Sequence, residues 1–216
     1  MTWSLNETEA LARKAARGAG LSWGLAEEAG KATRWLCSAG LPGPAALAGL
    51  LMQNDGAEYA RLCPIMTDRT WQAEEGALCP LIAGAALCDR ADALAAGNGV
   101  TLRNVAYPLL LIPFVAAASE VSKTTLTLRW DDVESIHQGE DVWLSAASEI
   151  LAAPLAEDIH VERGVAPQGP PIQRFYRGAM EPQIADILGA FAHRTYAPDT
   201  PESRMAGAGA GTTDND

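Results

Sequence analysis

TTLTLRWDD, residues 124–132, alternates without interruption. Thr124, Leu126, Leu128 and Trp130 point one way, and Thr125, Thr127 and Arg129 the other. A period of two with β-branched and aromatic residues is the mark of a strand with one buried face. Outward from it, VTLRNV (100–105), DVWLSA (141–146) and DIHVER (158–163) read as further strands. The run YPLLLIPFVAAAS (107–119) is apolar throughout, but Pro108 and Pro113 each lack a ladder donor. Lying five apart, they face opposite sides of a strand, which predicts an edge, a bulge or a bend.

Before this region the pattern is helical. Asn6 is expected to cap a first helix carrying Glu7 and Glu9 in its first turn, with Leu5 stapled onto Ala10 or Leu11 and Gly18 and Gly20 ending it. A second helix runs from near Ser22 to Gly40. Leu25, Ala29, Ala32 and Leu36 form its apolar stripe, with Trp35 beside it, and Glu27, Lys31 and Arg34 form the opposite one. Gly24 and Gly30 weaken this helix, and glycine inside a helix often admits a neighbouring backbone. Pro44 to Met52 is a short third helix. Residues 53–80 read mostly as loop with one helical turn, and Leu81 to Leu94 fits helix or strand. GVAPQGPPIQ (164–173) is linker-like. Pro182 then opens a closing helix with the stripe Ile184, Ile187, Leu188 and Phe191, stopped by Pro198. Helices, a mainly antiparallel sheet, one closing helix and a Gly-rich tail make an α+β protein. A single domain over 1–216 is expected: helical over about 1–55, β-rich over about 97–165, closed by a helix over about 181–197.

The 216 residues carry a net charge of −11, with 48% apolar and 20% charged residues. That field repels nucleic acid and anionic lipid; the nearest approach to a basic patch is Arg13, Lys14 and Arg17. No nucleic-acid or membrane partner is expected, and the longest apolar run, Ala106 to Ala118, is too short to span a bilayer. MTWSLNETEALARK has no apolar signal core, so a cytoplasmic protein is expected. Cys37, Cys63, Cys79 and Cys88 have no zinc-knuckle spacing and are expected as reduced thiols.

The signatures of nucleophile elbows, phosphate loops and zinc proteases are absent. Asp158, His160 and Glu162 share one strand face and could hold a divalent cation, although alternation alone also puts a polar row there. No bound metal is expected. His137, among acidic residues, is either a proton shuttle or a loop histidine with a raised pKa; His193 and Arg194 complement the dipole of the last helix. In the second helix, Glu27 and Glu28 could act as acid and base, with Trp23 and Trp35 as pocket walls; the alternative is a core helix with an exposed Glu27–Lys31 pair. In the tail SRMAGAGAGTTDND (203–216), Gly207, Gly209 and Gly211 beside Arg204 could form an anion-binding nest, or fray as termini do.

GAGLSWGLAEEAGKATRWL (18–36) and GAGAGTTDND (207–216) together resemble a family of bacterial proteins catalogued as domain of unknown function 3726. The resemblance implies one full-length domain and a shared role for Trp23, Glu27, Glu28 and the tail glycines. It implies no activity, cofactor or catalytic residue. The expected function is therefore small-molecule binding, or hydrolase or lyase chemistry on a metabolite, in a cleft between the N-terminal helices and the sheet. A non-catalytic accessory or assembly protein with a protein partner is the competing class.

Overall fold

The computed structural model describes residues 2–165 and 167–196. The expected tail site at Arg204, Gly207, Gly209 and Gly211 lies outside them. The N-terminal part holds β1 (Thr2–Ser4), α1 (Leu5–Gly18), α2 (Trp23–Ser38) and α3 (Gly43–Gln53). A short helix α4 (Tyr59–Leu62) and a hairpin of β2 (Ile65–Thr67) and β3 (Thr70–Gln72) follow. Next come α5 (Pro80–Asp89), α6 (Ala91–Ala95), β4 (Val100–Ala106), a 3-10 turn (Pro108–Leu111) and α7 (Ile112–Ser122). The chain closes with β5 (Leu126–Trp130), β6 (Val133–Gln138), β7 (Asp141–Ser145), α8 (Ser148–Leu151), β8 (Leu155–Arg163), β9 (Arg177–Ala179) and α9 (Pro182–His193). The α+β class is as expected.

The large sheet has seven strands in the order β2-β3-β4-β8-β5-β6-β7. All neighbours are antiparallel except β3 and β4. A separate two-stranded ribbon pairs β1 with β9, so both lie beside the helices rather than in the main sheet. Helix α7 packs on β5 and β6, and α6 on β8. A second helical layer of α1, α2, α3 and α9 covers α5 and α7. One apolar cluster runs through both layers, from Ala12 and Leu36 to Leu128 and Val161.

Local chemistry explains the elements. SLNE is a capping box: Ser4 Oγ accepts from Glu7 N at 3.2 Å, and Ser4 N donates to the Glu7 carboxylate at 2.8 Å. The cap is thus Ser4, not Asn6. The apolar run at 107–119 is helical rather than a bent strand. Each of its prolines sits in a first turn, where the missing N–H costs nothing, and a run buried almost throughout, Ala117 apart, shows no polar stripe to betray its period. The stretch 81–94 is helical for the same reason, in α5 and α6. Residues 53–80 contain the small hairpin as well as the helical turn.

Glycine sets the helix spacing at two points. A Cβ on Gly30 would lie 3.0 Å from the Glu9 carbonyl on α1. A Cβ on Gly18 would overlap the Phe191 carbonyl on α9. Gly24, by contrast, faces open space. In α9, Leu188, Phe191 and Ala192 are buried, while Ile184 and Ile187 are half-buried.

Candidate functional site

Residues 167–176 form a strap from the outer edge of the sheet to the helices. Ile172 N donates to the Val142 carbonyl on β7 at 2.7 Å, and Trp143 Nε1 to the Gly169 carbonyl at 2.9 Å. Further along, Phe175 N donates to the Ser38 carbonyl at the end of α2 at 2.6 Å. Between these anchors the strap closes one side of a cleft of about 440 Å³. Trp35 and Ser38 come from α2, Pro113 to Glu120 from α7, Gly139 and Glu140 from the β6–β7 turn, Asp141 from the first position of β7, and Ile172 and Arg174 from the strap. The cleft therefore lies between the N-terminal helices and the sheet.

Arg174 is its centre. The guanidinium carbon stacks 4.0 Å from the Trp35 ring centroid, a cation–π contact. One nitrogen donates to Ser38 Oγ at 3.2 Å and another to the Glu140 carbonyl at 3.4 Å. The side chain is half-buried, and burial pushes its pKa below the usual arginine value, against the opposing charges of Asp141 and Glu140. Among the described residues it has no salt-bridge partner. Ser38 Oγ donates to the Trp35 carbonyl at 2.7 Å, so its lone pairs face Arg174. Glu120, Glu140 and Asp141 are exposed at the rim.

Trp35 is a cleft wall, as its sequence context suggested. Trp23 is 68% exposed near the far end of α2, with Arg17 over its ring at 5.0 Å. Twelve residues of helix separate the two tryptophans, about 18 Å at 1.5 Å per residue. Glu27 is exposed, and Lys31 pairs with Glu28 at 2.7 Å rather than with Glu27. None of Trp23, Glu27 and Glu28 lines the cleft. Arg174 was missed because it directly follows the stretch 164–173 that reads as a linker, and its partner Ser38 lies 136 residues earlier.

The histidines separate in the structure. His137 is not a loop residue with a raised pKa: it lies on β6 with its ring buried beneath α7. Burial pushes its pKa down to about 3, and the Arg174 charge adds to this. Its Nε2 is 2.9 Å from Ser135 Oγ, while Nδ1 has no partner among the described residues. Asp158, His160 and Glu162 do share the open sheet face, each engaged there. Arg103 holds Asp158 at 3.2 Å, Thr101 Oγ1 is 3.1 Å from His160 Nδ1, and Arg129 holds Glu162 at 2.6 Å. No cluster of three potential metal ligands occurs among the described residues.

The helical part that builds α2's side of the cleft also matches a known sequence family. Residues 3–79 match the family model described as "Protein of unknown function (DUF3726)". Over this segment the chain is similar to domain of unknown function 3726. The family span takes in Trp35 and Ser38, along with Trp23, Glu27 and Glu28, whereas Arg174 and the closing GAGAG lie beyond it. No curated protein and no solved structure matches the chain. No helix among the described residues is long and apolar enough to cross a membrane.

Proposed function

We propose that the protein binds a small polar ligand in the cleft under the strap, and does so without catalysis. The observation that carries this is Arg174: a half-buried cation, stacked on Trp35 and held by a serine and a carbonyl, with no ion-pair partner among the described residues. A half-buried charge without a direct ion pair is costly, and a ligand group of opposite sign in contact with it relieves that cost. Polar groups from four distant segments converge on a volume typical of small-molecule sites. Hydrolase or lyase chemistry has less support. Among the described residues no histidine or cysteine lines the cleft, and Ser38 gives its proton to a backbone carbonyl rather than to a base.

The competing role, docking a protein partner, draws support from Phe175 and Tyr176, 45% and 93% exposed on the strap. Ligand contacts by Trp23, Glu27 or Glu28 would form a second site, separate from this cleft, and the tail glycines lie outside the described residues. The core shared by both helical layers and the sheet supports one domain, and four free thiols suit a reducing, cytoplasmic setting.

The test uses Ala117, an exposed residue of α7 that lines the cleft. Ala117→Trp should fill the cleft without disturbing the core. In a thermal-shift screen of small polar metabolites, a ligand at 100 times its Kd adds about 2.7 kcal/mol. At least one ligand should stabilise the native chain and fail to stabilise Ala117→Trp. Ligands that act equally on both proteins would place binding elsewhere.

A further inference from the structure

We infer that the ligand of this cleft is a basic amino acid or a close analogue, carrying one carboxylate and two cationic nitrogens on a short aliphatic chain. The inference rests on the cleft being a binding site and names its occupant.

Arg174 supplies the carboxylate end. A guanidinium has five N–H donors in a planar fork, and two nitrogens are already committed to Ser38 and the Glu140 carbonyl. The remaining donors match the two oxygens of a carboxylate, which such a fork binds side by side. Stacking on Trp35 and the two hydrogen bonds fix the fork, so little conformational freedom is lost on binding.

The rest of the cleft carries the opposite sign. Glu120 projects from α7, Glu140 from the β6–β7 turn and Asp141 from the first position of β7. Three carboxylates against one guanidinium leave the lining at a net charge of −2. A simple anion would satisfy Arg174 but meet this negative rim. A simple diamine would satisfy the rim but leave Arg174 without an ion pair and face its repulsion. A neutral amino acid would pair both ends and leave the excess negative charge in place. A molecule with one carboxylate and two cationic nitrogens answers both features at once. Between the poles, Pro113, Ala116, Ala117 and Ile172 offer an apolar wall against which methylene groups can lie.

Isothermal titration of the full chain with L-lysine, L-arginine and L-ornithine tests this. Cadaverine lacks the carboxylate, L-leucine lacks the second nitrogen, and L-glutamate reverses the side-chain charge. At least one basic amino acid should bind, and at least tenfold more tightly than any of the three controls. Arg174→Gln should weaken that amino acid tenfold or more while leaving cadaverine no weaker. Because Arg174→Gln can also loosen the strap, Glu120→Gln provides a second variant on an exposed helix position; it should weaken the basic amino acid more than L-leucine. Cadaverine or L-glutamate binding as tightly as the basic amino acids overturns the inference, as does an unchanged affinity in both variants. A different polar ligand that binds the native chain but not Ala117→Trp overturns the choice of ligand and leaves the cleft as the binding site. Absence of any ligand sensitive to Ala117→Trp overturns both.

Discussion

His137 makes the stability of this protein fall as the pH drops below neutral. Its ring is fully buried on β6 and its pKa is held at about 3, against 6.5 for a free histidine. Burial is the main cause and the nearby Arg174 charge the second. With Nε2 facing Ser135 Oγ at 2.9 Å, the cheaper neutral tautomer carries its proton on Nε2 and leaves Nδ1 as an unpaired acceptor. Between pH 7 and pH 5 the unfolded chain takes up a proton at this position and the native chain does not. The unfolded state therefore binds more protons, and stability rises with pH across that window. At about 1.4 kcal/mol per pH unit where the difference is complete, integration from pH 7 to pH 5 gives a loss of about 2 kcal/mol from this one residue. The loss continues toward pH 3, and below about pH 5 carboxylates titrate as well. The assay is urea unfolding at pH 7, 6 and 5 for the native chain and for His137→Phe, a ring of similar size that cannot be protonated. Phenylalanine can lower stability at every pH by crowding or by stranding Ser135, so only the pH dependence is compared. The native chain should lose about 2 kcal/mol more than the variant between pH 7 and pH 5. Parallel curves would mean that the native state accepts the proton, and that the ring is reached by water or a counter-charge.

Three further outcomes are expected. Leu188→Ala, at a fully buried site on α9, should cost about 2–5 kcal/mol in a denaturant titration; an unmoved midpoint would show that α9 is not docked. Gly18→Ala drives a methyl group into the Phe191 carbonyl and should cost about 1–3 kcal/mol, whereas Gly24→Ala, in open space within a helix, should be neutral or stabilising. Mass measurement after alkylation without reductant should find four free thiols in denaturant. Under native conditions Cys63 should label first, because burial holds Cys37, Cys79 and Cys88 at about 11.

What could be read from the sequence follows burial on one side versus burial all round. TTLTLRWDD and DIHVER each have a wet face and a dry face, so their alternation is visible, and the structure keeps Leu128 and Val161 in while Arg129 and Glu162 stay out. Helices α5 and α7 are covered on nearly every side, so no polar stripe marks their period, and the prolines that suggest a broken strand are helix starts. The cap at Ser4 was available in SLNE, but Asn6 offered an equally good side chain two residues later. In the site, Trp35 could be suspected because an aromatic beside a helix stripe has a surface to cover. Arg174 could not, since nothing local distinguishes an arginine in a Pro- and Gly-rich stretch. Its role exists only once the strap is folded against α2. His137 was misread because burial under the tertiary fold, which its acidic neighbours along the chain do not reveal, governs its protonation.

The strap has a consequence for the colloidal behaviour of the protein. β7 is the last strand of a seven-stranded sheet, and its outer backbone groups would otherwise offer a template for another chain's strand. The bond from Ile172 N to the Val142 carbonyl and the clasp of Trp143 on Gly169 occupy that margin with chain that cannot extend the sheet, since Pro167, Pro170 and Pro171 punctuate it. At the other margin β2 is only three residues long, with Asp68 at φ 35° closing its hairpin, too short to recruit a partner strand firmly. The segment that presents Arg174 to the cleft is thus also the guard of the sheet's longer open side, and substitutions that detach it should promote strand-mediated aggregation.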